Sequence, residues 1–180
     1  MTTCAIVGTE TLSRIVDYTD RGTCILFGDG AGAVVVEAVE STNRMISTLY
    51  ADGEKGNALS CRVDGKVVMD GQGVYRFATR CVPQSINDSL NKAGLTADDI
   101  DLFILHQANK RIIDSIARTL KSDSSKFCMN ISEVGNMSSA SIPVLLDEVN
   151  RKKLIKKGDI IVLSGFGAGL TYGTCIITWE

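Results

Sequence analysis

The chain has 180 residues, about the length of one domain, of which 44% are hydrophobic and 22% charged. Nineteen Lys and Arg stand against 21 Asp and Glu, for a net charge of -2, so no bulk charge draws nucleic acid or an anionic membrane to it. The apolar content can offset the entropy of folding, which argues against disorder, and no apolar run approaches the roughly 20 residues that span a bilayer.

The opening MTTCAIVGTE has neither the basic start nor the long apolar stretch of a signal peptide, so the expected address is the cytoplasm. Six cysteines are widely spaced without a CxxC pair, which argues against a zinc site or a thioredoxin motif and for free, mostly buried thiols.

The first predicted strand is Cys4 to Gly8. CILFGDGAGAVVVEAV follows a polar stretch and reads as two strand pieces joined by a glycine turn at Gly28, Gly30 and Gly32. Residues 44–53 read as another strand and 52–65 as loop. Apolar residues from Val74 to Leu90 recur at three- and four-residue steps, which predicts a helix over Gln72–Lys92, stopped by Gly94 and carrying Pro83 as a possible kink. Thr96 and Asp99 have the spacing of a cap.

IDLFILH is a predicted buried strand, ANKRIIDSIARTL an amphipathic helix and KFCMNI a further strand. SSASIPVLLDEVNRKKLI is a helix with Pro143 near its start, and DIIVLSG and TYGTCIITW are the last two strands. The order β-α-β-α-β-α-β-β from residue 44 implies an α/β fold with a mainly parallel sheet whose last strand turns back antiparallel. Strand, glycine-rich turn and strand occur at both ends of the chain (CAIVG, FGDGAG, AVVVE; then IIVLSG, FGAG, TYGTCIITW), which suggests a duplicated fold.

His106 is the only histidine and lies where a strand passes into a helix, the place where open α/β sheets collect ligands. The alternative is a structural histidine with satisfied nitrogens. Asn136, in EVGNMSSAS, sits on an equivalent loop, and its amide can donate to a carbonyl or enolate oxygen; a turn asparagine is the alternative. The two together suit polarisation of a carbonyl rather than metal binding, since no carboxylate or second histidine accompanies them. GDGAG at 28–32 suits close packing, whereas GFGAG at 165–169 can offer a main-chain N–H to an oxyanion. Five cations in RKKLIKK, residues 151–157, complement a helix end, with an acidic partner as the alternative.

HQANKR, GNMSSASIPVLLDE, TDRGTCILFGDGAGAVVVE and GFGAGLTYG together resemble β-ketoacyl-acyl carrier protein synthase III, of the thiolase-like superfamily. The resemblance covers essentially the whole chain. It implies a C-terminal βαβαβαββ half over 44–180, preceded over 1–43 by the last two strands of an N-terminal half. It also implies decarboxylative Claisen condensation in fatty-acid chain initiation: a cysteine takes an acyl group from acyl-coenzyme A, and the carbanion of malonyl-acyl carrier protein attacks it. On that resemblance His106 and Asn136 bind the malonyl thioester carbonyl, and main-chain N–H groups at Gly167 and Ala168 serve the oxyanion hole. Arg14, Gly71, Gln72 and Asn109 match positions that hold coenzyme A, with Gln72 in place of an expected asparagine; Met137 stands where threonine is frequent. Lys110 and Arg111 match cations that meet the acidic carrier protein. No cofactor is implied beyond the coenzyme A thioester as substrate, and the full-length enzyme is expected to be a homodimer.

The family nucleophile is a cysteine at a helix N-terminus, where N–H groups lower its pKa. Cys4, Cys24, Cys128 and Cys175 read as strand residues, Cys81 as mid-helix and Cys61 as loop, so none fits. The expectation is a C-terminal portion, inactive alone, with apolar surface exposed where an N-terminal half would pack. A related condensing or acyltransferring enzyme of secondary metabolism and a non-catalytic scaffold are the alternatives.

Overall fold

The computed structural model describes residues 3–40, 45–61 and 65–180. Positions 41–44, where the division between 1–43 and 44–180 falls, lie outside the described residues. Strands β1 (Thr3–Glu10) and β2 (Gly30–Glu37) form an antiparallel ribbon in the register Thr3 to Glu37 through Glu10 to Gly30. The main sheet has the order β3 (Ile46–Ala51), β8 (Thr171–Thr178), β7 (Ile160–Gly167), β6 (Leu102–Leu105). Three of its strands run in one direction. The reversed strand, β8, lies between β3 and β7, so β6–β7 is the single parallel pairing. The expectation of a mainly parallel sheet is corrected on this point: the β7–β8 hairpin folds back into the sheet interior.

Two other expected strands differ. KFCMNI pairs only through the Phe103–Phe127 bridge and the Cys128 N–H to Phe103 carbonyl bond. Cys24 to Leu26 is a run of turns that ends at Phe27, an isolated bridge partner of Asn136. Cys24 and Cys128 therefore lie outside strands. Within the expected loop of 52–65 lies strand β4 (Leu59–Cys61), which pairs antiparallel with β5 (Val67–Met69) just beyond it and places Cys61 at a strand end.

Helix α1 (Gly71–Ala93) starts where the Asp70 carboxylate accepts from the Gly73 N–H and stops at Gly94, whose φ of 71° is readily adopted by glycine. Pro83 lies inside it without ending it. Thr96 and Asp99 form the expected capping box. Helix α2 (Lys110–Leu120), the four-residue α3 (Ile131–Val134) and α4 (Ser141–Arg151) complete the set. Pro143 is tolerated in the first turn of α4, where its N–H is not needed.

Alternation along the strands builds a core on each face of the sheet. Phe103, Leu105 and Val162 pack with α1 and α2 residues such as Ile86 and Ile113, whereas Ile104 and Ile161 pack with Leu145, Leu146 and Val149 of α4. The β1–β2 ribbon lies beyond α4, with Val34 against the second core. Apolar side chains stand exposed on the ribbon and on edge strand β3, among them Val35 at 73% and Leu49 at 83%. Among the described residues no helix is long and apolar enough to cross a membrane.

Candidate active site

His106 follows the last residue of β6, and its backbone N–H donates to the Ser164 carbonyl of β7 at 2.8 Å. Its ring Nδ1 lies 2.7 Å from the Ser141 hydroxyl at the start of α4. The Phe166 ring meets the imidazole edge-on, with centroids 5.3 Å apart. The side chain is half-buried, yet its surroundings desolvate the charged form and push the pKa down to about 4. At neutral pH the ring carries no charge.

Asn136 is presented by a loop stitched to the segment before β2. The Gly28 N–H donates to the Asn136 carbonyl, and the Asn136 N–H to the Leu26 carbonyl, each at 2.9 Å. Glycines permit this closeness. A Cβ at Gly28 would collide with the Val134 carbonyl, one at Gly30 with the Met137 sulfur, and one at Gly8 would stand 2.6 Å from the Ser139 carbonyl oxygen. GDGAG is therefore a packing motif, as expected, and its service is to the Asn136 loop.

The Asn136 side chain is oriented by one unambiguous bond. The Ser138 backbone N–H donates to Oδ1 at 2.9 Å, which leaves Nδ2 as the outward donor. Ser138 is held at a φ of 46°, and its carbonyl accepts from the Ser141 hydroxyl at 2.8 Å. One residue's backbone thus steadies Asn136 through its N–H and, through Ser141, His106 as well. Neither His106 Nε2 nor Asn136 Nδ2 has a protein partner among the described residues, and neither is sealed from solvent.

Both residues line an open cavity of about 1080 Å³, together with Gly71, Asn109, Gly167 and Ala168. In the β7–β8 turn, the Ala168 N–H has no protein acceptor among the described residues. Arg14, Gln72, Lys110 and Arg111 do not line the cavity. Arg14 and Gln72 are exposed, and the turn carrying Arg14 is held by Asp29, which accepts from the Ser13 N–H and hydroxyl. Asn109 caps α2 by accepting from the Arg111 N–H. Lys110 pairs with Asp114 on its own helix, while Arg111 is exposed with no ion-pair partner among the described residues. In RKKLIKK, Arg151 and Lys152 pair with Asp147 and Glu148 one turn back, consistent with a solvated helix end.

All six cysteines are free. Cys61 and Cys175 line the cavity, which their sequence context did not disclose. Burial raises the pKa of Cys175 and, with the Glu148 charge, that of Cys128, which disfavours both thiolates. No described helix begins at a cysteine. Two contributors went unseen as site residues: Phe166, inside the GFGAG motif, and Ser141, whose only signal was its place at a helix start.

Two family models match the chain: 3-oxoacyl-[acyl-carrier-protein] synthase III over residues 1–53, and the C-terminal region of the same enzyme over residues 90–179. The chain belongs to the 3-oxoacyl-[acyl-carrier-protein] synthase III family. It is similar to the β-ketoacyl-[acyl-carrier-protein] synthase III of Microcystis aeruginosa, at 44% identity over 97% of this chain and 58% of that protein. The chloroplastic enzyme of Arabidopsis thaliana is also 44% identical, over 97% of this chain and 50% of its own length. The crystal structure of the Aquifex aeolicus synthase III superposes with a TM-score of 0.97 and 37% identity, covering 99% of this chain and 58% of that one. The fold is therefore that of the synthase III family, and the chain spans 50–58% of the length of these relatives.

Proposed function

We propose that this chain supplies the malonyl-binding part of a β-ketoacyl-acyl carrier protein synthase III, an acyltransferase of fatty-acid chain initiation. The observation that carries the reading is the convergence of His106 and Asn136 on one cavity, each with an unoccupied nitrogen and both steadied through Ser138. A malonyl thioester carbonyl placed in this cavity meets the fixed Asn136 Nδ2–H donor, with the neutral His106 ring beside it. As carbon dioxide leaves, the carbonyl oxygen gains enolate charge, and a donor already in position stabilises it without reorganisation. The Ala168 N–H is available for the oxyanion of the acyl group under attack.

The thiol that carries the acyl group comes from outside these residues, since the six present lack helix-end activation, and burial raises the pKa of Cys128 beside the second core and of Cys175 on the cavity wall. Gly71 and Asn109 line the cavity, which supports assigning them to coenzyme A or phosphopantetheine. Arg14 and Gln72 would meet its outer end. Arg111, exposed and without an ion-pair partner among the described residues, is the stronger of the two cations for the carrier protein; Lys110 is paired with Asp114. The full enzyme is a homodimer on this reading, and the unpaired cysteines suit a reducing cytoplasm.

The test pairs two measurements on the full chain. Malonyl-acyl carrier protein is expected to shift the His106 ring and Asn136 amide resonances, with loss of the response in Asn136→Ala. Incubation with acetyl-coenzyme A is expected to leave the intact mass unchanged. Absence of any shift at saturation overturns the malonyl site, and a stoichiometric acetyl adduct on one of the six cysteines overturns the external nucleophile.

A further inference from the structure

The hydroxyl of Ser141 has one proton and two lone pairs, and three groups compete for them. The Ser138 carbonyl lies 2.8 Å away, His106 Nδ1 2.7 Å and the Gln107 N–H 3.4 Å. The carbonyl can only accept and the backbone N–H can only donate. Two oxygens at 2.8 Å with no proton between them repel, so the Ser141 proton must point to Ser138. That carbonyl also accepts from the Ser141 backbone N–H, which its two lone pairs allow. The remaining lone pairs of Ser141 then face Gln107 N–H and His106 Nδ1, and Nδ1 must carry a hydrogen. Ser141 is wholly buried, so no solvent molecule stands in for any of these partners.

We propose that Ser141 is a positioning residue that holds neutral His106 as its Nδ1–H tautomer and leaves a lone pair on Nε2 toward the cavity. The two open nitrogens of the site are then unlike. Asn136 Nδ2 is a donor, and His106 Nε2 is an acceptor in the resting protein. This differs from a pair of donors aimed at one carbonyl. If the malonyl reading above is right, Asn136 provides the resting hydrogen bond to the thioester oxygen, and His106 is poised to accept one from a thiol, a water or another substrate N–H or O–H. The low proton affinity of the ring keeps it neutral across the working range, so the tautomer decides what it offers.

His106 is the only histidine, so its imidazole gives one pair of ¹⁵N signals. In the full chain labelled with ¹⁵N-histidine at neutral pH, a long-range ¹H–¹⁵N correlation is expected to show Nδ1 protonated and Nε2 with a free lone pair. Ser141→Ala removes the acceptor and is expected to lower the Nδ1–H to Nε2–H ratio by about tenfold, the worth of one such bond; Ser141→Cys, a weaker acceptor, falls between. A wild-type ring protonated at Nε2 overturns the proposal, and so does an unchanged ratio in a folded Ser141→Ala. If both variants fail to fold, the wild-type spectrum still decides. No substrate is involved, so failure of malonyl binding would leave this result standing, and failure here would leave the malonyl test untouched.

Discussion

Replacing Gly8 by alanine tests whether the ribbon positions the site from outside it. An added Cβ would lie 2.6 Å from Ser139 O, 2.7 Å from Ser139 C and 3.0 Å from Ala140 N, where ordinary contact begins at 3.4 Å. All three are backbone atoms, so no side chain can swing away. Strand β1 and the turn at 138–140 must part by about 0.8 Å to restore ordinary contact. The bond from the Ser138 N–H to Asn136 Oδ1, now 2.9 Å, lies in the part that moves. Overpacking costs about 1–3 kcal/mol and a strained hydrogen bond about 1 kcal/mol more, so Gly8→Ala should lose about 2–4 kcal/mol of unfolding free energy. A displacement of this size at a reacting group also lowers turnover by on the order of 100-fold in the assembled enzyme. Urea unfolding gives the stability, and the Asn136 side-chain amide resonance reports the loop. Gly53→Ala is the control, since nothing lies within 4 Å of its added Cβ; it should stay within about 0.5 kcal/mol of the parent. If Gly8→Ala unfolds at the same urea concentration as Gly53→Ala and the Asn136 resonance does not move, the ribbon does not set the loop.

The remaining predictions concern the site and the core. His106 should titrate near 4 by NMR; because the unfolded chain takes the proton near 6.5, stability is full above that value and declines as pH falls towards 4, by at most about 3 kcal/mol. A midpoint above 6 would contradict desolvation of the ring. Asn136→Asp keeps an oxygen for the Ser138 N–H but replaces the outward donor by an acceptor, so the melting temperature should hold while condensation by the assembled enzyme falls about 100- to 1000-fold. Retained activity would remove Asn136 from the reaction. Phe103→Ala empties a fully buried site stacked on Phe127 at 4.3 Å and should cost about 3–5 kcal/mol in denaturant unfolding; a loss below 1 would mean the core refills. Arg111→Ala should weaken carrier-protein binding more than Lys110→Ala, with a shallower salt dependence, and equal effects would show that the Asp114 pair does not hold Lys110 back.

Local chemistry was readable wherever it is settled by neighbours in sequence. Helix α1 follows from its apolar spacing and the stop at Gly94, and the capping box of Thr96 and Asp99 lies within four residues. Collinear motifs were enough for the family, and with it for His106 and Asn136 as the pair to examine. Long-range decisions were not readable. KFCMNI has the pattern of a strand but finds only one bridge partner on β6. The place of β8 between β3 and β7 depends on which edges are free once the helices have packed. Glycines 28 and 30 read as close packing from the sequence and Gly8 only as the end of a strand; the folded chain shows that what approaches all three is the Asn136 loop. Ser141 is the sharpest case: as a residue type it is an ordinary helix start. Its hold on His106 exists because β6 and α4, separated by 35 residues at the contact, bring one buried hydroxyl between a carbonyl, an N–H and an imidazole. Propensity and pattern act along the chain, whereas a proton's place in a network depends on which donors and acceptors the fold sets within reach.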